Sequence, residues 1–221
     1  MPKAILFDLD DTLTDRPASL AEYVRDFRSA FKSSLDDAVS EADIASAIAA
    51  VDDHGYAPRE DVYGALQSRL VWGSVPSLST LARHWETAFP RMTTFRAGAL
   101  ETVRALRDRG VLTGIVTNGR THIQRAKIEH LGLTPAVDCV VVSEEAGFAK
   151  PDPRVFEKAL EWLGCTNRDA WFVGDHPLND IVGASAAGLM PVWLEGVRPW
   201  PVELPEPKCS IVALPDLLGL L

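Results

Sequence analysis

Cysteine is scarce. The three in 221 residues, Cys139, Cys165 and Cys209, form no CxxC pair and are odd in number, so the chain carries neither a disulfide framework nor zinc-site spacing. All three read as reduced structural residues. No apolar run approaches the ~20 residues of a membrane span. Positive charge is also in short supply: 22 Lys and Arg against 31 Asp and Glu leave a net charge of -9, which disfavours nonspecific attraction to nucleic acid polymers or anionic membranes. An anionic substrate would therefore need local help from a metal or a lysine. The start of the chain passes directly into the apolar run Ala4–Phe7, without the basic start and longer apolar core of a signal peptide, so the expected location is the cytoplasm.

What is present is an ordinary globular composition, 47% hydrophobic and 24% charged, with no internal repeat or low-complexity tract. Short apolar runs recur at Ala4–Phe7, Val111–Val116, Val137–Val142, Ala170–Val173 and Met190–Leu194, mostly β-branched, and predict buried parallel strands. Helical spacing lies between them, at Leu100, Val103 and Leu106, at Ile123, Ala126, Ile128 and Leu131, and at Val155, Phe156, Ala159, Leu160 and Leu163. Gly110, Gly132 and Gly164 fall just past these patterns, where helices commonly stop. The alternation predicts an α/β fold, a three-layer core with helices on both faces of a mainly parallel sheet.

Residues 16–90 break the alternation. Their spacing is helical throughout, as in Leu20, Tyr23, Val24, Phe27 and Phe31, so they predict an inserted unit of four helices, with Pro58 opening one and Pro76 separating two others. The core then comprises 1–15 and 91–221. Four prolines within 198–208 predict an extended surface connection.

Ligands of open parallel sheets gather beyond the carboxyl ends of the strands, which directs attention to the polar residues there. Asp8-Leu9-Asp10-Asp11-Thr12 closes the first strand, Thr117-Asn118-Gly119 the second, and Gly174-Asp175-His176-Pro177-Leu178-Asn179-Asp180 the fourth; Lys150-Pro151-Asp152-Pro153 follows the third and precedes a helix. Asp8 and Asp10 converging beside a buried strand would repel unless a cation intervenes, and Asp175 can complete an oxygen-rich site suited to magnesium. A carboxylate beside such a metal can attack phosphorus. Lys150, Thr117 and Asn118 can stabilise the phosphoryl oxygens.

With these four motifs in this order, the chain resembles the haloacid dehalogenase superfamily along its whole length, and specifically its phosphatase-like members with an α-helical cap of the C1 type. The resemblance implies a Rossmann-like core and a cap over residues 16–90, which in relatives closes over the catalytic crevice. It implies that Asp8 is the nucleophile and Asp10 the general acid and base, that Thr117 and Lys150 bind the phosphoryl group, and that magnesium is held by Asp8, the backbone carbonyl of Asp10, and Asp175, with Asp180 supporting the site. The expected activity is magnesium-dependent hydrolysis of a small phosphorylated metabolite, by a monomer or homodimer.

Blander readings exist for each part. DxDxT alone is equally a turn or a helix cap, Asn118-Gly119 is a common turn pair, Lys150 would by itself be a solvated lysine, and Asp180 can cap a helix. The four together, in order and at strand ends, favour the site. Within the superfamily a dehalogenase has no need of Asp10 as an acid, a phosphonatase would need a cap lysine, for which Lys32 is the single candidate, and a phosphomutase shares the nucleophile and acid. A noncatalytic phosphate-binding protein is the reading from another class. His176 is left out of catalysis. The aromatic residues of the insert read as core, while His54, Tyr56 and Arg59 near an insert turn are candidates to face a substrate.

Overall fold

A computed structural model describes residues Met1–Leu221. By contacts the chain forms two compact units, one of Met1–Asp15 with Phe95–Leu221 and one of Arg16–Thr94. The division falls at 94 rather than 90, because the short helical turn Phe89–Met92 belongs to the inserted unit: Phe89 is buried among its aromatics, and the Thr94 N–H donates to Ser19 Oγ at 3.0 Å.

The first unit is built on a six-stranded, wholly parallel sheet in the order β3-β2-β1-β4-β5-β6. Its strands are β1 (Ala4–Phe7), β2 (Leu112–Thr117), β3 (Cys139–Val142), β4 (Ala170–Gly174), β5 (Met190–Leu194) and β6 (Ser210–Ile211). The five runs read from sequence are present within a residue or two. The sixth strand, two residues at the end of the proline-rich segment, is too short to give a periodic signal. β1 is buried on both faces and sorts its side chains by alternation: Ile5 and Phe7 join the core against α5 (Ala99–Asp108) and α6 (Thr121–His130), while Ala4 and Leu6 join the core against α8 (Pro153–Leu163). On that second face Phe156 and Phe172 meet edge to face, their centroids 4.9 Å apart. Two short helices, α7 (Ser143–Ala146) and α9 (Gly183–Ala186), complete the layers. Gly110, Gly132 and Gly164 sit at φ 76°, 63° and 63°, ending their helices in the left-handed conformation expected of them.

The second unit holds four helices: α1 (Arg16–Ala30), α2 (Glu41–Ala49), α3 (Arg59–Arg69) and α4 (Leu78–Ala88). Most of its aromatics are core, as expected from sequence, while Tyr56 is exposed. Tyr23 meets Trp85 edge to face at 4.7 Å, and Trp85 stacks on Phe89 at 4.7 Å. Arg59 is committed inside this unit, where it pairs with Asp52 at 2.9 Å and lies over the Trp85 ring, and Asp52 also takes both ends of the Arg16 fork. Lys32 lies exposed in the turn after α1 rather than on the helix, because α1 stops at Ala30 and Phe31–Leu35 close a turn by Ser34 N–H to Phe31 O at 2.9 Å.

The two ends of the insert leave the first unit side by side. Thr14 and Phe95 form an antiparallel bridge, and Arg96 N–H donates to Leu13 O at 2.9 Å.

At the middle of β2, Gly114 leaves no room for a side chain, since a Cβ there would lie 2.5 Å from Cys139 Sγ and 2.8 Å from Leu6 Cδ2. Gly114→Ala is expected to destabilise the protein by about 1–3 kcal/mol through overpacking, read as a lower midpoint in urea; an unchanged midpoint would show that the sheet gives way there at no cost.

Candidate active site

β1 and β4 are neighbours at the centre of the sheet, and each ends in a carboxylate. Asp8 follows Phe7, and Asp175 follows Gly174, so the register Phe7↔Val173 carries both to one edge. Connections run to opposite directions of the sheet from this point, where ligands of parallel α/β folds collect. After Asp8 the chain makes a π-type turn over Leu9–Leu13, with Asp10 extended and Asp11 at φ 61°. A similar wide turn over Pro177–Val182 brings Asp180 back under β4. Gly174 makes this return possible: a Cβ on it would lie 2.4 Å from Asp180 Cγ.

Asp8, Asp175 and Asp180 are all buried and offer oxygens within 4.8 Å of one another. Lys150, with a side chain 1% exposed, donates to Asp8 Oδ1 at 2.5 Å and to Asp180 Oδ1 at 2.7 Å. The other Asp180 oxygen accepts from His176 N–H at 2.9 Å. Asp175 accepts from Thr12 Oγ1 at 3.1 Å and has Arg198 Nε 3.7 Å away. Loss of water, opposed by Lys150 and reinforced by Asp180, raises the Asp8 carboxyl to about 7. Burial, then the charges of Asp180 and Asp8, raises Asp175 to about 9. Lys150, with Arg198 at the margin, does not balance three carboxylates, and the donors are all hard oxygens. This set fits a divalent cation of the magnesium or calcium kind rather than a soft metal.

Of the residues read from sequence, the structure brings Asp8, Asp175, Asp180 and Lys150 into one contact network. Thr117 and Asp10 are joined to each other through a neighbour: Gln124 Nε2 donates to Thr117 Oγ1 at 2.6 Å and to Asp10 Oδ2 at 2.9 Å. Asn118 engages the main chain of Lys150 with its side-chain amide, donating to the carbonyl at 2.9 Å and accepting from the N–H at 2.8 Å, so it helps to set the position of the lysine. The Asp10 carboxylate stands outside the acidic cluster, and both its oxygens accept from Lys127, at 2.7 and 2.8 Å. His176 serves the turn, its Nδ1 accepting from Leu178 and Asn179 N–H groups.

Sequence reasoning passed over Thr12, Gln124, Lys127 and Arg198. Thr12 was in view within the first motif but was given no partner. Gln124 and Lys127 carry a usable signal, since 124, 127, 128 and 131 are one helical face and the first two are polar; both are buried. Arg198 lies in the proline-rich segment expected to run over the surface. That segment instead turns inward at this point, where Trp200 packs on Trp193 at 5.0 Å and Trp193 Nε1 donates to the Asp175 carbonyl at 3.2 Å.

Known proteins resemble the chain in sequence and in fold. A family model described as haloacid dehalogenase-like hydrolase matches residues 2–188. A glyceraldehyde 3-phosphate phosphatase of Methanopyrus kandleri is 32% identical over 197 residues, 87% of this chain and 83% of that protein. A phosphoserine phosphatase of Thermus thermophilus is 41% identical over 112 residues, and a pyrimidine 5'-nucleotidase of Escherichia coli is 36% identical over 125. Those matches cover 50% and 56% of this chain but span only 41% and 55% of the relatives' own lengths. Among solved structures, the magnesium-bound hydrolase YfnB of Bacillus subtilis superposes with a TM-score of 0.77 at 24% identity, covering 99% of this chain and 98% of that one. The L-2-haloacid dehalogenase of Xanthobacter autotrophicus does so with a TM-score of 0.69 at 20% identity, over 100% and 98%. At such identities these two speak for the fold, and the family match rests on the sequence: the chain belongs to the haloacid dehalogenase-like hydrolases.

Proposed function

We propose that the protein is a magnesium-dependent phosphatase that hydrolyses a small phosphomonoester through a phosphoaspartate at Asp8. The observation that carries this reading is the buried Asp8 carboxylate, aligned by Lys150 within a cluster of three carboxylates whose charge calls for a divalent cation. Asp10, two residues on, supplies a second carboxyl held apart from that cluster.

Each step follows from these positions. An Asp8 oxygen attacks phosphorus, forming the Asp8 O–P bond as the ester P–O bond breaks, and Asp10 gives its proton to the departing alkoxide. Water then attacks the same phosphorus while Asp10 takes its proton; the Asp8 O–P bond breaks, and phosphate leaves with Asp8 restored. Lys150 and the Thr117 hydroxyl hold the phosphoryl oxygens, and the Asn118 side chain keeps Lys150 in place. Magnesium at Asp8, the Asp10 carbonyl and Asp175, with Asp180 behind them, would supply neutralisation of the phosphoryl charge.

Three further observations support the reading. Two relatives matched over more than four fifths of their length bear phosphatase names. A haloalkanoate substrate would release halide without a proton, leaving Asp10 no task as an acid in the first step. The net charge of -9 disfavours a nucleic acid polymer and leaves a small phosphorylated metabolite as the substrate class, and the three free thiols agree with a cytoplasmic location.

Phosphate release from a panel of phosphomonoesters should depend on magnesium, fall to background in Asp8→Asn, and fall on the order of 10²–10⁴-fold in Asp10→Asn. Magnesium-independent release, or full activity in Asp8→Asn, would refute the mechanism. Return of the phosphoryl group to a second sugar hydroxyl, seen as a rearranged ester, would instead identify a mutase.

A second outcome follows from the raised carboxyls. Because Asp8 and Asp175 titrate above their unfolded range, the metal-free fold keeps their contribution in acid and loses it as pH rises through about 7 and about 9. Magnesium should therefore raise the melting temperature more at about pH 9 than at about pH 6, where protons compete for the same oxygens. A magnesium effect that is flat or shrinks over this interval would show that these carboxylates are not the ligands.

A further inference from the structure

α6 turns one face toward the chemistry, and the polar residues on that face, Gln124 and Lys127, are one turn apart. Lys127 places its ammonium across both oxygens of Asp10, with only 5% of its side chain exposed. Gln124 uses a single amide nitrogen for two acceptors, Asp10 Oδ2 and Thr117 Oγ1. An amide NH2 has two hydrogens, so both bonds can form at once, and Thr117, having accepted one, keeps its own O–H to give. The nearest protein acceptor for that O–H is the Asn118 carbonyl at 3.5 Å, too long to hold it firmly.

Gly119 belongs to this arrangement. At φ 144° it lies against Gln124, and a Cβ there would come within 3.0 Å of Gln124 Cγ and 3.1 Å of Cδ. The glycine that closes the second motif therefore makes room for Gln124. A buried ion pair contributes little stability over apolar residues of the same volume, so stability alone gives no reason for Lys127 to stand on a face otherwise completed by Ile128.

We propose that Gln124 and Lys127 are positioning residues of the reaction: Lys127 fixes the Asp10 carboxyl, and Gln124 locks it at a set distance from the Thr117 hydroxyl that holds the phosphoryl group. The pair sets the spacing between the atom that anchors phosphate and the atom that protonates the leaving oxygen. Near-attack geometry of this kind is sensitive to displacements of about 1 Å. The inference rests on the phosphatase reading and on Asp10 as its proton donor.

The test compares two substrates of the full chain with magnesium: p-nitrophenyl phosphate, whose leaving phenolate needs little protonation, and the alkyl phosphomonoester of the panel that turns over fastest. In Lys127→Met, kcat/KM for the alkyl ester should fall on the order of 10²-fold, and for the aryl ester several-fold less, with KM little changed. Asp10→Asn should show the same bias, and the double variant should be no slower than Asp10→Asn alone. Gln124→Leu should add a higher KM for both esters, because Thr117 is released as well. It also carries the leaving-group comparison if Lys127→Met does not fold by circular dichroism. Equal losses on the two esters, unchanged rates, or losses that multiply in the double variant would overturn the proposal. If Asp8→Asn and Asp10→Asn both remain active, the phosphatase reading fails instead, and the two failures are told apart.

Discussion

Three carboxylates buried within 4.8 Å of one another are the constraint to which the rest of the first unit answers. Taken out of water and crowded, Asp8 and Asp175, at the ends of the central strands, resist ionisation. Positive charge and hydrogen bonds reach them from three places: Lys150 from the loop before α8, Thr12 from the turn after β1, Arg198 from the chain beyond β5. The sheet can carry this cost because its interior strands are buried on both faces, so the geometry of the acidic edge is held by packing rather than by the acids themselves.

The same edge separates two carboxyl roles by environment. Asp8 is inside, against Lys150 and near its acidic neighbours. Asp10, only two residues later, turns outward because the chain is extended there and reverses at Asp11, and it is met by α6 instead. One short segment thus presents two carboxyls to different surroundings, Asp8 to Lys150 and the acidic cluster, Asp10 to Lys127 and Gln124.

How much of this was legible in the sequence depended on whether the signal was local. The five long strands, the four inserted helices and the glycine stops follow from periodicity and from left-handed turns, which are properties of consecutive residues. Three of the motifs were legible because each closes a strand, and the Lys150 motif because it opens a helix. Gln124 and Lys127 were not, because helical spacing was counted with apolar residues alone, and a polar residue facing inward has meaning only once its partner, more than a hundred positions away, is known. Asn118 shows the converse: its place in the motif was correct, yet its side-chain partner is the main chain of Lys150, 32 residues on. Arg198 was hidden by prolines, which mark a break in regular structure but not the direction in which the chain then runs.

The paired bridge at Thr14 and Phe95 means that the insert enters and leaves through one narrow doorway. With its two ends already adjacent, the sheet closes the same way whatever length of chain lies between them, since the entropy of joining neighbouring ends grows only slowly with that length. A lineage could therefore replace the module between these two positions while the strand ends that carry the buried carboxylates are inherited intact.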